Sequence, residues 1–239
     1  TDRSRGLGDV YKRQVYNSFS LGIGKDGLAG YPLIDVYLTG KELKLAAEVD
    51  ASVSDFMTTA RLYCSGLNFT FNPHRMILNK VTDCYLTRED GERIEIQDDQ
   101  LYRVVTDLYT GQMLGSVMEM SYGLLKIEPK DKDGNPIENL EDQAIMEGDK
   151  ELKAWDAIAR YMKSFDDTDG NGISNVPEYY ETTHGRKVVD ESRNVIDLVK
   201  NPNKFSVMII GIVLVLILII ILLVVLIRKL IKKRRRKKK

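Results

Sequence analysis

The sequence predicts an α+β domain followed by one membrane-spanning helix. Three observations predict it. Short β-rich runs bounded by turn residues recur between residues 31 and 128; a capped helical segment interrupts them at 40–50; and 23 consecutive residues, Phe205–Ile227, carry no charge and no proline.

The elements follow in order. Residues 1–14, TDRSRGLGDVYKRQ, read as a non-native leader and are set aside; neither an initial Met nor a signal peptide is visible, and a domain outside the cell needs one, so the true start is expected upstream. Residues 15–130 read as one compact unit. Tyr31–Leu38 is apolar and aromatic, as strands are. Thr39-Gly40-Lys41-Glu42 is a capping box opening a helix over about 40–50. Leu67–Phe71 alternates like a half-buried strand, Asn72–Arg75 turns the chain, and Met76–Leu86 returns. Asp90-Gly91 marks a hairpin before Arg93–Ile96. Tyr102–Tyr109 and Gly123–Glu128 are the last strands, closed by Asp133-Gly134. Residues 131–181 hold a helix over about 150–164, capped by Asp149 and carrying Leu152, Trp155, Ile158, Ala159 and Met162 at helical spacing, and then a Gly/Asp-rich loop. Residues 182–204 are polar without periodicity and read as a stalk.

The apolar run is long enough for a bilayer: 23 residues at about 1.5 Å each span about 34 Å against a core of about 30 Å. Ten of the chain's 35 basic residues follow Ile227 and none of its 35 acidic ones do, which places residues 228–239 in the cytoplasm and the domain outside. Membrane lipid is thus the partner of residues 205–239. No LPxTG precedes Phe205, so the helix reads as a permanent anchor. Residues 1–204 then carry 25 basic against 35 acidic residues, a balance that disfavours nucleic acid as a partner. Cys64 and Cys84 are read as buried thiols, with a disulfide permitted outside the cell. Two histidines and no CxxC or HExxH leave no His-based metal site.

The run Tyr31-Pro32-Leu33-Ile34-Asp35-Val36-Tyr37-Leu38-Thr39-Gly40-Lys41-Glu42-Leu43-Lys44, then Glu48, Ser65–Pro73, Asp90-Gly91 and Tyr102–Asp107, resembles the C-terminal domain of the 5′-nucleotidase family. The resemblance implies the substrate-gripping part of a two-domain metallophosphoesterase hydrolysing nucleotides or related phosphate esters. It implies a divalent metal pair held by Asp, His and Asn on a separate N-terminal domain, whose motifs this chain lacks, so the chain alone is expected to be inactive. It also implies two aromatic rings around the base. The position matching the first ring is Arg61 and its neighbouring amide position is Tyr63; the second should follow a Gly-Gly-Asp-Gly turn, where this chain reads Thr110-Gly111-Gln112-Met113-Leu114-Gly115-Ser116. Tyr63 and Tyr109 are the available replacements. The rival reading is an anchored, non-enzymatic surface binding or adhesion module.

A second motif stands apart. Asp167, Asp169, Asn171, Asn175 and Glu178 place oxygens at loop positions 1, 3, 5, 9 and 12, with the carbonyl of Ile173 at 7 and Gly172 at the sharp turn. This is an EF-hand-like spacing. An apolar residue at position 7 brings it closer to the calcium repeats of bacterial surface proteins, and a structural Ca2+ is expected there.

Overall fold

The computed structural model describes residues 14–54, 56–58, 61–121 and 125–237. Their elements are α1 (14–19), β1 (Leu33–Thr39), α2 (Gly40–Val53), β2 (Leu67–Phe71), β3 (Val81–Thr87), β4 (Arg93–Glu95), β5 (Leu101–Asp107), α3 (Leu108–Met120), β6 (Met146–Glu147), β7 (Lys150–Glu151), α4 (Ala154–Lys163), β8 (Lys187–Val189), α5 (Val195–Val199) and α6 (Lys204–Lys237), with 3-10 turns at Leu140–Gln143 and Glu178–Glu181. The fold is α+β. It divides into two compact units rather than one. The first runs through Ala46 and resumes over Leu86–Arg186; the second comprises Ala47–Tyr85 and Lys187–Lys239.

In the first unit β1 pairs antiparallel with β5, from Leu33 opposite Asp107 to Thr39 opposite Leu101. Alternate residues of β1 point inward, so Ile34 and Val36 are sealed from solvent and pack with Leu108 against Tyr31, Val104, Ile137 and Leu140. Full burial of such a side chain stabilises by roughly 1.5–3 kcal/mol. The capping box forms as its residues predict: Thr39 N donates to Glu42 Oε2 at 2.8 Å and Glu42 N to Thr39 Oγ1 at 3.3 Å. The other carboxylate oxygen of Glu42 accepts from Lys130 Nζ at 2.6 Å and Glu128 N at 3.1 Å, tying the cap to the chain beyond α3.

Three expectations for this unit need correction. Thr110–Ser116 lies inside helix α3, which Asp107 caps by accepting from Thr110 N at 3.0 Å and Thr110 Oγ1 at 2.6 Å. Gly111 and Gly115 hide that helix in the sequence; Gly111 is there for packing, because a Cβ would come within 2.7 Å of Ile34 Cδ1. Of the strand expected over Gly123–Glu128, residues 122–124 lie outside the described residues and 126–129 form no regular structure; Lys130 alone bridges Tyr37. Helix α4 begins at Ala154, not at 150. Lys150–Glu151 instead pair with Met146–Glu147 around Gly148, and Leu152 exchanges backbone hydrogen bonds with Leu33 and Ile145, which keeps it extended. Lys153, not Asp149, takes the cap position and makes no side-chain cap bond.

In the second unit β2 lies between β3 and β8. Phe69 packs with Ala47 and Ala51 of α2, flanked by Phe71, Val81 and Cys84. Residues Leu67–Phe69 are all buried, so β2 does not alternate as its sequence suggests. Strand β3 starts at Val81, not Met76, because 72–80 form a turn closed by Asn72 N donating to Lys80 O at 2.9 Å, with Leu78 at φ +59°. Both cysteines are half-buried thiols rather than fully buried ones.

Residues 182–204 do not stand free as a stalk. Strand β8 pairs in parallel with β2, Phe69 opposite Lys187 and Phe71 opposite Val189. Asn72 Nδ2 donates to Ser192 O at 2.8 Å, and the buried Arg75 donates to Asp197 O at 3.0 Å and Lys200 O at 2.6 Å. The segment is unreadable in the sequence because its partners lie more than 110 positions away. Asn203 then caps α6, accepting from Phe205 N at 3.1 Å and Ser206 N at 3.0 Å, while its amide donates to Leu78 O. The candidate span is Lys204–Lys232, whose most apolar window has mean hydropathy 3.9 and is not buried at all.

Candidate functional site

The positions implied to grip a base fall on different elements. In the first unit, Tyr109 opens α3 directly after β5, and its half-exposed ring lies 5.7 Å from that of Tyr31. The helix that follows it replaces the glycine turn, so Thr110–Ser116 presents no open loop to a ligand.

In the second unit, Arg61 and Tyr63 flank Leu62, whose backbone is held on both sides. Its N–H donates to Asp50 Oδ1 at 2.6 Å, and its carbonyl accepts from Lys187 Nζ. Lys187 closes the arrangement by pairing with the buried Asp50 at 2.8 Å. Arg61 is exposed. Tyr63 is 88% exposed, with the Lys187 ammonium 5.4 Å from its ring centroid. The exposed Tyr63 ring can stack on an aromatic ligand, while the charge of Lys187 is already balanced by Asp50. Sequence reasoning missed Asp50 and Lys187. They are 137 positions apart, and no local pattern marks a charge that will be buried.

Two more carboxylate sites carry structure. Glu48, 9% exposed, accepts from Val81 N at 2.9 Å and Lys80 N at 3.0 Å. Burial pushes its carboxyl up to about 7, although both N–H groups and Arg75 favour the ionised form. In the first unit, Lys153 Nζ is sealed between Asp26 at 2.8 Å and Glu151 at 2.6 Å. Beside it a cleft of about 360 Å³ is lined by Lys25, Asp26, Glu141, Asp142, Asp149 and Glu151 among others. Its carboxylates outnumber the lysines that pair with them, a balance that disfavours a phosphate there.

The calcium-type loop lies in the first unit and wraps around Asp167. Asp167 Oδ1 accepts from Gly170 N at 2.8 Å and Asn171 N at 3.2 Å, and Oδ2 from Gly172 N at 2.8 Å. The Gly172 N–H foremost, with those of Gly170 and Asn171, holds this carboxyl below the usual range. Gly170 and Gly172 have φ +72° and +85°, as the tight turn demands. Asp169 accepts from Asn171 Nδ2 at 2.8 Å, Asn171 Oδ1 from Ile173 N at 2.8 Å, and Asn175 Oδ1 from Thr168 N at 2.8 Å. The loop therefore gathers Asp167, Asp169, Asn171 and Asn175. Glu178 heads the 3-10 turn beyond it, and among the described residues no three His, Cys, Asp or Glu are grouped to hold a metal.

Fold and surface together define an α+β domain with one helix long enough to cross a membrane. Residues 4–120 match the family described as "5'-nucleotidase, C-terminal domain", and the chain carries a 5′-nucleotidase C-terminal domain. The match begins inside the stretch that the sequence reading set aside as a leader. Among solved structures, a 5′-nucleotidase precursor from Thermus thermophilus is 18% identical with a TM-score of 0.45, covering 68% of this chain and 26% of its own. An NAD nucleotidase of Haemophilus influenzae is 18% identical with a TM-score of 0.34, covering 50% of this chain and 21% of its own. The chain thus spans about a quarter of the length of these relatives. No curated protein sequence matches.

Proposed function

We propose that the chain is the substrate-binding, C-terminal part of a surface-anchored metallophosphoesterase that hydrolyses nucleotides or related phosphate esters in nucleotide catabolism. The match over residues 4–120 carries this reading. In the intact protein a divalent metal pair, held on another domain, would polarise the phosphate ester and activate water. This chain binds the ligand's aromatic part, and the exposed ring of Tyr63 is the surface that fits it. Helix α6 crosses the membrane with the domain outside and the basic tail in the cytoplasm. The loop Asp167–Glu178 takes a structural Ca2+.

The test uses the full chain in lipid nanodiscs. No phosphate is released from AMP or a sugar nucleotide, with or without Mg2+, Mn2+ or Zn2+; turnover surviving repurification would show that catalysis resides here. AMP binds in calorimetry, and Tyr63→Ala weakens it by about 1–3 kcal/mol, the value of one base-ring stack. Absence of any nucleotide binding by the folded chain leaves the anchored adhesion module as the better reading.

A further inference from the structure

Four exposed apolar side chains lie on the two segments of the second unit that adjoin the start of α6. Val195, Ile196 and Val199 of α5 are 71%, 70% and 63% exposed, and Ile77 of the 72–80 turn is 45% exposed. Hydrogen bonds bring them there. Arg75 grips Asp197 O and Lys200 O, and Leu78 O holds the amide of Asn203, so the turn that displays Ile77 clasps the chain from α5 to the cap of α6. By helical spacing Asp197 lies on the opposite side of α5 from Val195, Ile196 and Val199; it is exposed and accepts from Ser192 Oγ at 2.6 Å.

We propose that α5 and Ile77 lie in the headgroup layer of the bilayer that α6 crosses, so that the second unit rests on the membrane surface. The proposal rests on the reading of α6 as a membrane span. Continuity of the chain argues for lipid as the occupant. From Val199 to Phe205 the chain reaches at most about 22 Å even fully extended, and the clasp by Arg75 and Leu78 keeps it shorter. Phe205 and Ser206, the first apolar turn of α6, are 4% and 3% exposed, whereas Val207 is 59% exposed. The protein surface therefore ends within one turn of where the hydrocarbon-length segment begins. Lys200 and Lys204, on either side of the link to α6, are exposed, and at a membrane surface their ammonium groups would meet lipid phosphates. A short helix with one apolar face and flanking cations is the arrangement that settles in the interface plane.

The test labels single cysteines in the full chain, in a Cys64→Ser, Cys84→Ala background, reconstituted in phosphatidylcholine–phosphatidylglycerol vesicles. An environment-sensitive fluorophore on Ile196→Cys or Val199→Cys, both at exposed positions, shifts to the blue. It is quenched about twofold or more by lipids with a nitroxide near the headgroup, and less by a nitroxide deep in the chain, as a shallow interfacial position requires. The same fluorophore on Leu216→Cys, at the middle of the apolar run, reports the span itself and is quenched best by the deep nitroxide. Quenching at 216 but none at 196 or 199 overturns the proposal and leaves the anchor standing. A blue shift at 196 without lipid quenching means that protein, such as a second copy, covers the face, and also overturns it. No quenching at 216 shows that the anchor reading has failed, and the proposal with it.

Discussion

Glu48 shows how one carboxyl can serve a fold at a cost that depends on pH. It accepts from the backbone N–H groups of Lys80 and Val81, where strand β3 begins, and it does so at 9% exposure. Its folded value, raised from the ordinary 4.5 to about 7, sets the sign. A raised value means that the protonated form is favoured by folding. The stabilisation is therefore complete below pH 4.5 and is lost as the pH rises through 7, by about 3 kcal/mol in all. We predict that resistance of the second unit to urea falls as the pH rises from about 4.5 to about 7, and that Glu48→Gln, which carries no charge to bury, removes this slope. A Glu48 carboxyl carbon that titrates near 4.5 by NMR would contradict the assignment. Glu48 can be picked out in the sequence as part of a family pattern, but its burial cannot. The same holds for Asp50, Arg75 and Lys153: charged residues are ordinarily exposed, and only partners supplied from distant segments make their burial tolerable.

Among the elements, those governed by neighbours in sequence were legible and those governed by distant partners were not. The Thr39–Glu42 box starts α2 where its spacing says, and Asp90-Gly91 turns the chain before β4, with Gly91 at φ +87°. Helix α3 is hard to see in the sequence because its two glycines weaken every local helix signal. The loop after α4 is the element whose chemistry is still open to test. It is stitched to the helix end by Ser174 Oγ donating to Lys163 O at 3.1 Å and Asn175 N donating to Asp166 O at 2.9 Å, so an ion bound in the loop would stiffen α4 as well. Trp155, in α4, donates to Ala29 O at 3.1 Å and meets the ring of Tyr16 edge-on, which makes its fluorescence a reporter of the first unit. We predict that millimolar calcium raises the Trp155-detected thermal midpoint by about 5 °C and protects Phe165–Tyr180 from proteolysis, with magnesium much less effective. Glu178→Ala should abolish the calcium response without lowering the calcium-free midpoint. Asp167→Ala should abolish the response and lower that midpoint too, since its carboxylate organises the loop. A midpoint and cleavage pattern unmoved by calcium in the unsubstituted chain would leave the loop as a connector.

For the whole molecule, the decisive partition is between the two folded units and α6. Val207 to Ile227 offers water a nearly continuous apolar surface, and its removal takes away the one helix among the described residues that is long and apolar enough to cross a membrane. We predict that residues 15–204 partition to the supernatant after lysis without detergent, whereas the full chain pellets with membranes and is released only by detergent. Recovery of the shortened form in the membrane pellet after a high-salt wash would show that something besides α6 holds it there, and α5 with Ile77 would be the first place to look.

Local composition alone determined the mixed fold class, the cap of α2, the apolar span and the spacing of the calcium-type loop, because each depends on residues that are near neighbours in the chain. The tertiary structure decided the rest. It assigned Lys187–Val189 to the edge of β2 instead of to a stalk, divided residues 15–130 between two units, and left Tyr63 bare above Lys187. Those outcomes turn on contacts between segments far apart in the chain, such as Asp50 and Lys187 at a separation of 137, whose strength comes from burying charged and backbone groups together. A sequence names such groups but does not say which of them will meet.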